Sequence, residues 1–184
     1  LVYLDKITGK KSTPNYKIEI PEKFVNRARE LMPNEKKYIG FSITAGHPTR
    51  IKEISIQEII KVANHYSKDF VPTFFIEDKY VETKQLLKTE INNSFFPEEN
   101  LEKAFKKPMM VTAMGALTEF NISIDNGISH MLSFSNSKNY IFFNKSSEKF
   151  RPSNNNSSIY DCEKTEKKID KLTSQEIINF IVKN

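Results

Sequence analysis

The 184-residue chain has no tryptophan, one cysteine, three histidines and five glycines. Each scarcity closes a class of function. A single Cys162 permits neither an internal disulfide nor a cysteine-based zinc site, which suits a reducing compartment such as the cytoplasm. His47, His65 and His130 stand in unlike contexts and make no metal-ligand spacing, so no metal is expected. The glycines spell neither G-x-x-x-x-G-K-[ST] nor G-x-G-x-x-G, which disfavours P-loop nucleotide hydrolases and ordinary dehydrogenases. No G-x-S-x-G elbow marks a serine hydrolase. No apolar run is long enough to span a bilayer, and no basic-then-apolar leader opens the sequence. The first residue is Leu1 rather than Met, and we read the chain as a piece of something longer.

What is present describes a folded domain. Mean hydropathy is low, −0.52, yet Phe, Ile, Leu and Val recur in periodic clusters. The net charge of +5 favours anionic partners. Lysine is spread over every predicted helix, and no lysine cluster alternates with exposed aromatics, so nucleic acid is not the expected partner.

Residues 1–37 read as a linker, turn-rich at "ITGKKSTP", with a short extended "IEI" and a helix in "PEKFVNRARELMP". From Tyr38 to Asn184 strands and helices alternate. "YIGFSIT", "FVPTFFIE", "FNISI" and "NYIFFN" are predicted strands. The segment from Ile56 to Tyr66, "KYVETKQLLKTEI", "PMMVTAMGAL", "GISHMLSFSN" and "LTSQEIINFIVKN" are predicted helices, the last capped by Thr173 or Ser174. "NNSFFPEENLEKAF" reads as a short strand and a helical turn. "SSEKFRPSNNNSSIYDCEKTEKKID" reads as a polar loop with a short "IYD" strand. The fold class is therefore α/β, a parallel sheet covered by helices on both faces. Such sheets bind ligands beyond the carboxyl ends of their strands, which points to the loops after Thr44, Ile76, Ile124 and Phe143.

Three stretches there could carry chemistry. In "DNGISH", Asp125 ends a strand and Gly127 permits close approach of backbone to a ligand. Ser129 and His130 fall in a first helical turn, whose free N–H groups suit a diphosphate. Asn126 and Ser129 could add side-chain donors, and His130 could meet a phosphate or departing negative charge. An ordinary cap explains the same turn, with Asp125 or Asn126 satisfying N–H groups and His130 packed as filler. In "AGHPTRIKEIS", Arg50 and Lys52 offer cations to the same anion, or form a solvated loop. In "IEDKYVE", Glu77, Asp78 and Glu82 could accept from ribose hydroxyls, or serve as helix-start acids.

Taken in order, these pieces resemble the C-terminal, donor-binding half of the bacterial heptosyltransferases, the family 9 glycosyltransferases. The pieces that carry the likeness are "KEIS", Glu82, "TAMGALTEFNISIDNGISHML", "YIFFNKSSEKFRP" and "LTSQEIINFIVKN", over Tyr38 to Asn184. The resemblance implies one Rossmann-like half of a two-domain GT-B enzyme that binds a nucleotide sugar, usually ADP-heptose. It implies that Lys52 contacts the donor diphosphate and Glu82 the ribose. It further implies that Asn126, Gly127 and His130 close on the phosphates while Asp125 orients the turn. Transfer would invert the sugar without metal or cofactor, onto a lipopolysaccharide or surface-glycan acceptor. Acceptor and catalytic base would belong to an N-terminal half that this chain lacks, leaving it inactive alone and placed in the cytoplasm, peripheral to the inner membrane. Asn126 stands where the family carries a hydroxyl residue, and "FFNKSS" replaces a glycine-proline turn. Those departures keep open a second reading, a non-catalytic Rossmann-like nucleotide-binding module.

Overall fold

A computed structural model of the protein describes residues 6–9, 18–45, 53–152, 154 and 156–184. The chain runs α1 (Glu22–Leu31), β1 (Tyr38–Ser42), α2 (Ile56–Tyr66), β2 (Val71–Phe74) and α3 (Val81–Glu90). It continues through α4 (Pro108–Gly115), β3 (Thr118–Ile124), α5 (Gly127–Ser133), β4 (Lys138–Phe143), β5 (Ser157–Asp161) and α6 (Ser174–Lys183). The five strands form one sheet in the order β2-β1-β3-β4-β5, and every pairing is parallel. The α/β class read from the sequence is the class observed.

Alternation along the strands separates two interiors. Ile39, Phe41, Phe74, Ile122, Ile124, Tyr140 and Phe142 point to one face, where α2 and α6 cover them with Ile59, Ala63, Ile177 and Ile181. There Phe41 stacks on Phe74 at 4.9 Å between ring centroids, and Phe180 meets Tyr140, Phe142 and Tyr160 edge-on. Tyr38 and Phe75 point to the other face, beneath α1, α4 and α5.

Local sequence explains each cover. In α1, Phe24 and Ala28 are four residues apart and both buried, so the helix predicted beside the linker packs on α4 and joins the domain's second core. Arg27 ties it to Glu102 at 2.8 Å and to the Asn100 carbonyl at 3.0 Å. α4 begins at Pro108, whose fixed φ suits a first helical position, and is buried from Met110 to Gly115. A helix apolar all round belongs inside. α6 opens on Thr173 with a full capping box to Glu176. Glu58 of α2 accepts the Ser174 N–H at 2.6 Å and pairs with Lys61, which holds its carboxyl below the usual range.

The strand order fixes where a ligand can enter. The chain leaves β1 toward α2 on one face and leaves β3 toward α5 on the other, although β1 and β3 are neighbours. Connections that diverge from adjacent strands open a crevice at their carboxyl ends.

Candidate nucleotide crevice

Asn126 sits in that crevice and joins its walls. It is the N-cap of α5, and its Oδ1 accepts the Ser129 N–H at 2.9 Å. Its Nδ2 donates across to Ser42 Oγ at 2.8 Å and to the Thr44 carbonyl at 3.1 Å. One amide therefore caps the helix after β3 and fastens it to the end of β1. Both Nδ2 hydrogens are used, so Asn126 contributes position here. Ser129 is buried with its hydroxyl donating to the Asn126 carbonyl at 2.7 Å. As the turn stands, neither side chain has a hydrogen to spare for an anion.

The cap accounts for Asn126 and Ser129 and leaves Gly127 unexplained. A β-carbon on Gly127 would meet no described atom within 4 Å, and its φ is not positive. Glycine in a helix costs roughly 0.5–1 kcal/mol relative to alanine, and here packing among the described residues does not require it. Among the described residues nothing fills the space before Gly127, and at a helix start the amides of Gly127 and Ile128 have no acceptor within the helix. His130 is half-buried. It stands four residues after Asn126 and three after Gly127, so it shares their side of the helix. Asp125 links strand to helix, its N–H donating to the Phe142 carbonyl at 3.2 Å.

Seven residues make too short a helix to stand alone. Its rear carbonyls are taken by Thr112 Oγ1 on Met131 (3.1 Å), Asn139 Nδ2 on Leu132 (3.2 Å) and Asn154 Nδ2 on Ser133 (2.5 Å). Asn156 adds a bond to the Ser135 carbonyl at 2.6 Å. The helix is held by side chains at both ends.

The β1 side is buttressed as well. Ala45 donates its N–H to Glu53 Oε1 at 2.6 Å, and its carbonyl accepts the Tyr80 hydroxyl at 2.8 Å. The first of these bonds joins the described residues on either side of 46–52. Lys52 itself, with Arg50 and His47, lies outside the described residues. Glu82 occupies the first turn of α3, exposed, beyond the edge strand β2. Asp125, Asn126, Gly127, Ser129 and His130 share the turn after β3, while Glu82 follows β2, two residues beyond the Tyr80 that bonds Ala45. Asp78, read beside it, is bound to Lys106 and Lys84, which pull its carboxyl below the usual range. Among the described residues no cluster of three or more His, Cys, Asp or Glu is placed to hold a metal, and no helix is long and apolar enough to cross a membrane.

Sequence reasoning missed Ser42, Thr44 and Tyr80 as partners of the turn, since their role depends on strand order. It also missed Lys149, Arg151 and Asn154, which meet His130 around a cleft of about 230 Å³.

No family model matches the sequence, and no curated protein matches it. Solved structures do share the fold. A glycosyl transferase of family 9 from Veillonella parvula superposes with a TM-score of 0.81 at 15% identity, covering 99% of this chain and 57% of that one. The ADP-heptose lipopolysaccharide heptosyltransferase II of E. coli gives 0.73 at 12% identity, covering 90% and 52%. The E. coli heptosyltransferase WaaC with ADP gives 0.73 at 15% identity, covering 97% and 53%. The chain therefore spans about half the length of each of these enzymes and has a glycosyltransferase-like fold.

Proposed function

We propose that this chain is the donor-binding half of a glycosyltransferase, and that the crevice between β1 and β3 seats the diphosphate of a nucleotide-activated sugar of the ADP-heptose kind. The observation that carries the reading is the open space at Gly127, set at the divergence of β1 and β3 and braced by Asn126. The shared fold supports it, since one neighbour was solved with ADP and another with an ADP-2-deoxy-2-fluoro heptose.

In this reading the Gly127 and Ile128 amides meet the diphosphate, and His130 stabilises the charge that develops as it departs. Lys52 supplies a further cation and Glu82 accepts from the ribose. Asp125 and Asn126 hold the turn, and Ser129 fixes Asn126. Donors already aimed at a leaving group need no reorganisation during transfer, which proceeds with inversion and without a metal. The acceptor, a lipopolysaccharide or surface glycan, and the catalytic base belong to a second α/β half, so this chain alone binds donor without transferring it. The work is placed in the cytoplasm, at the inner membrane's face. One observation favours a second reading, a nucleotide-binding module without turnover: both amide hydrogens of Asn126 are spent within the protein.

Calorimetric titration with ADP, UDP and GDP tests the proposal. At least one is expected to bind, and Gly127→Leu to abolish that binding while the variant melts at the wild-type temperature. His130→Ala should weaken it about tenfold, the scale of one hydrogen bond to a charged group. Silence toward all three nucleotides in the wild type overturns the proposal.

A further inference from the structure

Beside the crevice, the segment between β4 and β5 folds back over α5. His130, Ser133, Phe134, Lys149, Arg151 and Asn154 line the resulting cleft of about 230 Å³, with Phe150 and Pro152 completing it. Among the described residues no carboxylate lines it, and the side chains of Lys149 and Arg151 form no ion pair or hydrogen bond with a described residue. Two cations and an imidazole converge where no acidic lining group neutralises them.

Apolar burial does not hold this turn, because Phe150 between the two cations is 55% exposed. Hydrogen bonds do. Ser147 donates its N–H to Asp161 Oδ2 at 3.0 Å, and its carbonyl accepts from Phe150 and Arg151 at 3.1 and 2.8 Å. Burial pushes the Asp161 carboxyl up, but the bonds from Ser147 and Lys164 prevail and keep it below its usual value. Asn154 closes the far end onto the Ser133 carbonyl of α5. A turn pinned at both ends avoids the loop-ordering part of the binding cost, leaving only the lysine and arginine side chains to be fixed by a ligand. The cleft is smaller than the roughly 300–1,000 Å³ of pockets that enclose drug-sized ligands, so it suits one charged substituent.

We infer that this cleft is a subsite for an anionic substituent, phosphate or carboxylate, on the saccharide handled at the neighbouring crevice. The inference rests on the proposed function for the ligand being a sugar. His130 joins the two places, since it shares the side of α5 that carries Asn126 and Gly127 and also lines the cleft. Arginine and lysine together meet a sugar phosphate or uronate by charge-assisted hydrogen bonds.

Backbone amide shifts of the isotope-labelled chain test this with glucose 6-phosphate, glucose, inorganic phosphate and ADP as probes. Glucose 6-phosphate is expected to move Lys149, Phe150 and Arg151, and glucose to leave them still. Arg151→Ala and Lys149→Ala should each weaken glucose 6-phosphate about tenfold and leave ADP unaffected, while Gly127→Leu does the reverse. No shift with glucose 6-phosphate overturns the subsite. Inorganic phosphate binding as tightly as the sugar phosphate overturns its assignment to a saccharide, and full displacement of glucose 6-phosphate by ADP overturns its separateness. If ADP, UDP and GDP are all silent while glucose 6-phosphate still binds at the turn, the subsite stands and the nucleotide reading falls. UDP-glucuronate and UDP-glucose then locate the charge. A tenfold preference for glucuronate that vanishes in Arg151→Ala places it on the donor sugar; no preference, with glucose 6-phosphate binding intact, places it on the acceptor.

Discussion

On one face of the sheet the strands present Phe41, Phe74, Ile122, Tyr140 and Phe142; on the other, the same strands present Gly40, Ser42, Asn121, Ser123 and Asn139. Both sets are buried, with Asn121 and Asn139 at 0% exposure and Ser123 at 1%. The aromatic face gains from area and ring geometry, each aromatic pair contributing about 0.5–1.5 kcal/mol beyond burial. That second face also buries Tyr38 and Phe75 against α1, α4 and α5, but its polar groups gain little from burial and are costly unless paired. Its return is placement: Thr118 bonds Asn121, Asn139 bonds the end of α5, and Ser42 receives Asn126 at its start. Both sides of the sheet carry stability, and the polar groups of the second also position the helix that borders the crevice.

The largest expected effect breaks the aromatic side. Phe142 is fully buried, 5.5 Å from both the Tyr160 and Phe180 rings. Phe142→Ala should cost about 3–5 kcal/mol in urea unfolding, and a loss under about 1 would move the main support elsewhere. Gly40→Ala comes next. A β-carbon there would overlap Asn121 Oδ1 and stand 2.9 Å from Phe75 Cε2, an overpacking worth about 1–3 kcal/mol. Combining it with Asn121→Ala should restore part of the loss, whereas additive losses would show that the two residues do not collide. Asn126→Ala should follow at about 1–2 kcal/mol, the scale of a lost N-cap. Asn126→Asp keeps the acceptor for Ser129 and loses both donors; wild-type stability in that variant would show the bonds to Ser42 and Thr44 to be idle. The smallest effect is that of Ser123→Ala. The Ser123 hydroxyl is buried without a partner among the described residues, so removing it should cost nothing or stabilise by up to about 1 kcal/mol. A clear loss would reveal a hidden partner.

The apolar half of this contrast is legible in the sequence, because Phe and Ile at every second position announce a strand. The polar half is misleading. "FNISI" alternates like a strand with one wet face, yet both of its faces are covered. α2 runs from Ile56 to Tyr66 as its periodicity predicts. α5 stops at Ser133, short of the predicted "GISHMLSFSN", because Asn154 and Asn156 take over its carbonyls from a distant segment. β5 extends beyond the predicted "IYD" through Ser157 and Ser158, residues without an apolar signature that become strand by pairing with β4. α4 is buried from Met110 to Gly115, and α1 joins it in the same apolar cluster. At the site, "DNGISH" is recognisable as a capped turn. The cations that meet it are not, since the asparagines that fold them back look like a low-complexity loop.

The clasping of α5 has a consequence for how the domain opens. Its front fastening reaches 84 residues back along the chain and two of its rear ones 21 residues ahead, so local bonds are only part of what keeps it wound. Such a helix forms late and is lost with the sheet, and its amide protons exchange only when the whole domain lets go. A guest lodged against it acts as a keystone: occupancy would register as a higher melting temperature for the entire domain.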